Sequence, residues 1–157
     1  MSVPIRGSFA GSIAPRSISK GIAEIETTRH AYSSFAAKDI AAEKEFYAKK
    51  LGLDVNELYD GQLLELRLGD DKRVLVYSKE DFRPATYTVL NFPVPDVDAA
   101  VAELQQNGVE MARFDGFDQD AKGIARPTSA GEGPTIAWFR DPDGNILAIH
   151  SDEPPPA

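Results

Sequence analysis

Cysteine is absent from all 157 residues. Its absence excludes disulfides, thiolate catalysis and Cys-ligated metals. Histidine occurs only twice, at His30 and His150, and tryptophan once, at Trp138. A basic excess is also missing. The net charge of −8 argues against a nucleic-acid groove or anionic lipid as a partner, since either would need a basic patch. No apolar run approaches the roughly 20 residues that span a bilayer, and no apolar segment of about 7–15 residues marks a secretory signal. A cytoplasmic location is therefore expected. No G-x-S-x-G elbow is present, which leaves little room for a serine hydrolase. What is present is an apolar fraction of 42%, enough for a sizeable core in one domain or two small modules.

Residues 1–28 differ from the rest. They are acid-poor, with Arg6, Arg16 and Lys20 ahead of Glu24, and carry no hydrophobic period. They read as a flexible N-terminal arm. A transit peptide or a short element swapped onto a partner are the other readings. From there the chain is periodic. Residues 30–38 read as a strand, and Asp39 as the N-cap of a helix over 40–51, with Ile40, Tyr47 and Leu51 on one face. Gly52 stops that helix. Strands follow over 53–59, 64–68 and 74–77, the last apolar on both faces and so central. After a charged link over 79–85 the pattern returns. A strand over 86–94 leads to Asp96 as a second N-cap. A helix with Val97, Ala100, Val101 and Leu104 on one stripe ends at Asn107-Gly108, and a strand follows over 109–114. A long polar loop then leads to a closing hairpin. Its turn, Asp141-Pro142-Asp143-Gly144-Asn145, sets φ with proline and closes with glycine.

The two halves are an internal repeat, β-α-β-β-β twice. The expected fold is α+β: two tandem βαβββ modules, 30–79 and 86–151, forming a curved mixed sheet around a shared cavity. One domain would span 29–151, with a tail over 152–157.

The chain resembles the vicinal oxygen chelate superfamily, also called the glyoxalase/bleomycin-resistance/dioxygenase family. The resemblance rests on Asp39, Phe46-Tyr47 and Leu51-Gly52 in the first module. In the second it rests on Asp96, Ala100, Leu104, Gly108 and the stretch from Phe139 to Asn145. It covers about residues 30–151. The family hosts isomerases, dioxygenases, epimerases, resistance enzymes and passive drug binders, so the fold alone fixes no activity. Metal-dependent members carry His, Gln or Glu on the first and last strands of each module. Register places those positions at Tyr32, Val76, Val89 and Ala148. Three offer no donor, and a phenol with a pKa of roughly 10 is a poor ligand at neutral pH. The resemblance thus implies a member without the family's metal ligands, and no metal or other cofactor is expected.

Strand alternation would still put Tyr32, Ser34, Val76, Ser78, Val89, Asn91, Ala148 and His150 on the inner surface, with Trp138 beside them. That lining suits a small apolar or aromatic ligand. Tyr32 and His150 are the candidates for acid/base work if a reaction occurs. Asn91 reads as a buried amide that needs a partner. Phe117 and Arg126, in the long loop, are candidates for a lid. The expected partners are a small organic molecule and, from the resemblance, a second copy in a homodimer. The expected function is metal-free small-molecule binding; the alternative is a lyase, isomerase or dioxygenase-like enzyme of the same superfamily, metal-free or metal-dependent through a non-standard site.

Overall fold

The structure is a computed structural model in which residues 25–129 and 131–152 are described. Most of the arm expected over 1–28 and of the tail over 152–157 lies outside the described residues. Every helix and strand below falls in the unit Tyr32–Ala157.

In the first module β1 (Ser33–Ala37) leads into α1 (Ile40–Glu45). Asp39 caps the helix, its carboxylate accepting from the Ala42 amide at 3.0 Å. The expected single helix over 40–51 changes character at Phe46. Residues Phe46–Lys50 form a π-turn, closed by the Leu51 amide donating to the Phe46 carbonyl at 3.2 Å. Gly52 then takes φ +69, which lets the chain reverse. β2 (Asp54–Leu58), β3 (Leu63–Arg67) and β4 (Arg73–Ser78) complete a sheet of order β1-β4-β3-β2. β4 is central, as its doubly apolar sequence implies, and pairs parallel with β1.

The second module repeats this plan. β5 (Thr88–Val94) precedes α2 (Val97–Gln106), capped by Asp96 through the Ala99 amide at 3.0 Å. The strand expected over 109–114 shrinks to β6 (Met111–Ala112). The polar loop contributes a second short strand, β7 (Ile124–Ala125). Both pair with β8 (Ile136–Arg140). β9 (Ile146–Ser151) lies between β8 and β5, parallel to β5. A two-residue strand is invisible to a pattern search that needs four or more alternating residues.

One apolar core joins both modules on the side of the helices. It holds Ala37, Ile40, Tyr47, Leu64, Leu66 and Val76 of the first with Val101, Leu104, Phe139, Leu147 and Ile149 of the second. The hairpin turn fastens them. The Asp143 carboxylate accepts from the Lys38 and Asp39 amides at 2.6 and 2.8 Å, and the Asn145 amide donates to the Ala36 carbonyl at 2.9 Å. These bonds link residues more than a hundred positions apart, so the turn that ends the fold also locks its beginning.

Candidate functional site

Each sheet turns one face to the helices and leaves the other open. In the second module Leu147 and Ile149 point to the core, so Ile146, Ala148 and His150 point the other way. Trp138 lies opposite Ala148 across the β8–β9 pair and shares that open face. It is nearly buried because the loop after β6 folds over it. The Phe114 ring meets Trp138 edge-on at 5.7 Å, and Phe117 lies tilted over it at 4.7 Å. Phe117 itself remains 55% exposed. The result is an aromatic layer with one ring free to solvent.

The loop is held rigid below its tip. The Gln119 side chain accepts from the Phe114 amide and donates to the Ala112 and Gly123 carbonyls, all within 2.9 Å. Arg126, expected in a lid, does something else. Its guanidinium forks onto Asp98 of α2 at 2.8 and 2.9 Å and reaches Asp120 at 3.1 Å. It anchors the base of the loop, while Phe117 occupies the tip. The two flanking carboxylates hold the Arg126 charge firmly, and Asp98 is in turn pushed below its usual range by that guanidinium.

His150 is half-buried on the same face. Its Nδ1 lies 2.9 Å from the Ser151 carbonyl. A carbonyl only accepts, so Nδ1 carries a proton in this contact and Nε2 is the ring nitrogen left for a ligand. Asn91, opposite Ala148 on β5, is exposed rather than buried. The strand's apolar neighbours Leu90 and Phe92 turn to the core, which leaves the amide facing out. Val89 departs from the expected register. A bulge between Thr88 and Leu90 takes it out of alternation, and it packs against the shared core.

The first module is also off by one on β4. Val76 is fully buried in the core cluster, and Ser78, paired with Ala37, shares its side of the sheet. The open face of β4 carries Arg73, Leu75 and Tyr77 instead. Ser34 is exposed on the open face of β1, since Phe35 and Ala37 take the core side. Tyr32, half exposed, precedes β1 and lies under the Arg73 guanidinium, 4.3 Å from ring centroid to Cζ. Beside it is a group that sequence reading passed over. Glu65 of β3 is 9% exposed and accepts from Arg73 at 3.1 Å, Arg67 at 3.3 Å and Asn56 at 3.5 Å. The Arg73 bond, followed by those of Asn56 and Arg67, holds its carboxyl below the ordinary range. The first open face is therefore a polar, ion-paired shelf and the second an aromatic one.

A family-type metal does not fit this geometry. The open-face residues nearest the four recurrent positions are Tyr32, Tyr77, Asn91 and Ala148, with no carboxylate or imidazole among them. Divalent metals of this family need three or four such donors converging at about 2.0–2.2 Å. Among the described residues, no cluster of three His, Asp or Glu side chains is placed to hold an ion.

A model of the Glyoxalase/Bleomycin resistance protein/Dioxygenase superfamily matches residues 29–149. The chain belongs to that superfamily. Solved structures of the same fold include TnmS3, an antibiotic binding protein from Streptomyces sp. CB03234. It is 21% identical, with 82% of this chain and 100% of that one covered at a TM-score of 0.56. The genomically encoded fosfomycin resistance protein FosX from Listeria monocytogenes is 18% identical, covering 82% and 96% at 0.58. A glyoxalase/dioxygenase from Nostoc punctiforme is 16% identical, covering 85% and 100% at 0.57. A comparison with curated protein sequences gives no match. No helix of the described residues is long and apolar enough to cross a membrane.

Proposed function

We propose that this chain is a cytoplasmic, metal-independent binding protein that holds a planar apolar or aromatic small molecule on the open face of its second module. The Phe117–Trp138 contact carries the reading. An exposed ring stacked on a nearly buried one costs solvent-exposed apolar surface, and a flat ligand that slides beside or under Phe117 would cover it. Asn91 and His150, on the same face of the sheet, would supply the orienting polar groups. A homodimer fits the same picture, because each chain exposes two sheet faces and aromatic residues such as Tyr32 and Tyr77 that a second copy could cover. The antibiotic binding relative supports a binding role.

Trp138 is the only tryptophan, so its fluorescence reports on the site directly. Titration with a panel of planar aromatic compounds should quench it saturably. A ligand at 100 times its Kd should add about 2.7 kcal/mol to stability. Addition of EDTA should leave that affinity unchanged. Linear, unsaturable quenching with no thermal shift across the panel would reject the proposal. Sedimentation equilibrium tests the dimer. The Nε2 of His150 supports a second reading, acid/base catalysis by His150 or by Tyr32. Turnover of a bound compound that His150→Ala or Tyr32→Phe abolishes would decide for it.

A further inference from the structure

A separate cleft of about 270 Å³ lies on the side of the helices, where the two modules meet. Phe92, Leu104, Phe139 and Ile149 form its apolar floor, and Leu51 and Leu53 close one wall. The π-turn shapes it. Wider than an α-turn, it carries Phe46–Lys50 past the end of α2, and turns of this kind recur at functional sites. The Asn107 amide at the end of α2 donates to the Lys50 carbonyl at 3.1 Å. That bond ties the elements together without filling the gap beneath.

In a protein of net charge −8, the cleft is bordered by Lys49 and Lys50 against one acid, Glu103. Lys49 is taken by Glu45 at 2.9 Å. Lys50 forms no ion pair among the described residues. Its Nζ reaches toward the other module and stops 3.8 Å from where a Cβ on Gly108 would stand. Lys50 and Glu103 are then the charges left on the border of an apolar cleft, and the lysine suits an anionic head group.

We propose that this cleft binds a small amphipathic carboxylate of the medium-chain fatty-acid type, with its hydrocarbon on Phe92, Leu104, Phe139 and Ile149 and its carboxylate at Lys50 Nζ. The volume falls just below the usual range of roughly 300–1,000 Å³ for ligand pockets, which selects a short chain. Because both modules build the cleft, an occupant would wedge between them and stiffen their junction. The site is distinct from the aromatic open face and does not depend on what binds there.

The test is a titration of ¹⁵N-labelled full-length protein with sodium octanoate, followed by amide shifts. Saturable shifts should centre on Gly52, Phe92, Leu104 and Phe139. Octan-1-ol, which lacks the charge, should bind about tenfold more weakly, as should octanoate to Lys50→Glu, in line with one lost charge-assisted hydrogen bond. Ala100→Phe, which fills the cleft from α2, should abolish the shifts. If one variant fails to fold, the other and the comparison of ligands still decide. Shifts centred on Ile136, Ala148 and His150, equal affinity for octylammonium, or no saturable response would each overturn the proposal.

Discussion

The first module buries two glutamates and treats them in opposite ways, one on the open face of its sheet and one against the second module. Glu65, on the open face of the first sheet, keeps its charge among Arg73, Arg67 and Asn56. Glu43, on the core side of α1, is fully buried with no ion pair among the described residues. One of its oxygens accepts the Asp143 amide at 3.1 Å, and the other, Oε2, has no partner among the described residues. Asp141 lies close by, accepting from Tyr47 Oη at 3.1 Å and from the Asn145 side chain at 3.0 Å. Burial, then the Asp141 charge, pushes the Glu43 carboxyl from 4.5 to about 9, and burial first also raises Asp141. A carboxyl beside arginines stays ionised, and a carboxyl walled in by other acids keeps its proton. The same side chain serves as an anchor for charge in one sheet and as a neutral latch at the junction between modules.

The largest expected effect separates the two by pH. For Glu43 the folded value lies above the unfolded one. Its contribution to stability is complete below about pH 4.5 and is lost as pH climbs through about 9. Glu43→Gln keeps the shape and removes the proton. Its stability advantage over wild type should widen by up to about 1.4 kcal/mol per pH unit across that window, read by urea unfolding. Parallel curves would show that Glu43 is ionised in the fold. Next in size is Asn145→Ala, which strips the turn of its bonds to Ala36 and Asp141. It should cost about 2–4 kcal/mol at pH 7, since buried partners are left unpaired. Glu65→Gln should have the opposite pH signature to Glu43→Gln. The folded carboxyl is depressed, so its stabilisation, on the order of 1 kcal/mol, is present above the unfolded value and fades as pH falls. Phe117→Ala should change stability by less than about 1 kcal/mol, because the ring is more than half exposed, yet weaken any ligand that quenches Trp138. Arg126→Ala should be smallest in stability. Its effect should show as faster amide exchange around Asp120 and Ile124, whose loop it fastens to α2.

Much of the frame was legible beforehand. The caps at Asp39 and Asp96, the central place of β4, the repeat and the closing hairpin all follow from local chemistry that operates wherever those residues sit. Val76, Ser78 and Val89 take the face opposite to the one that counting predicts, because one bulge or a strand starting a residue early inverts every side chain beyond it. Asn91 read as buried because its neighbours are apolar, but a strand covered on one face leaves alternate residues in water. Arg126 lies in the predicted lid segment, yet its partner Asp98 is 28 positions away on another element. Glu43 had a signal that was overlooked: it falls three residues after Ile40 and four before Tyr47, squarely on the apolar stripe of α1.

The sequence by itself determined the order of elements and the family, because caps, turns and periodicity act over a few residues. Tertiary structure alone decided which carboxyl is neutral, which loop residue covers Trp138 and where Lys50 is left unpaired. Those depend on what is packed against each group from far along the chain, through desolvation and charge that no local pattern encodes.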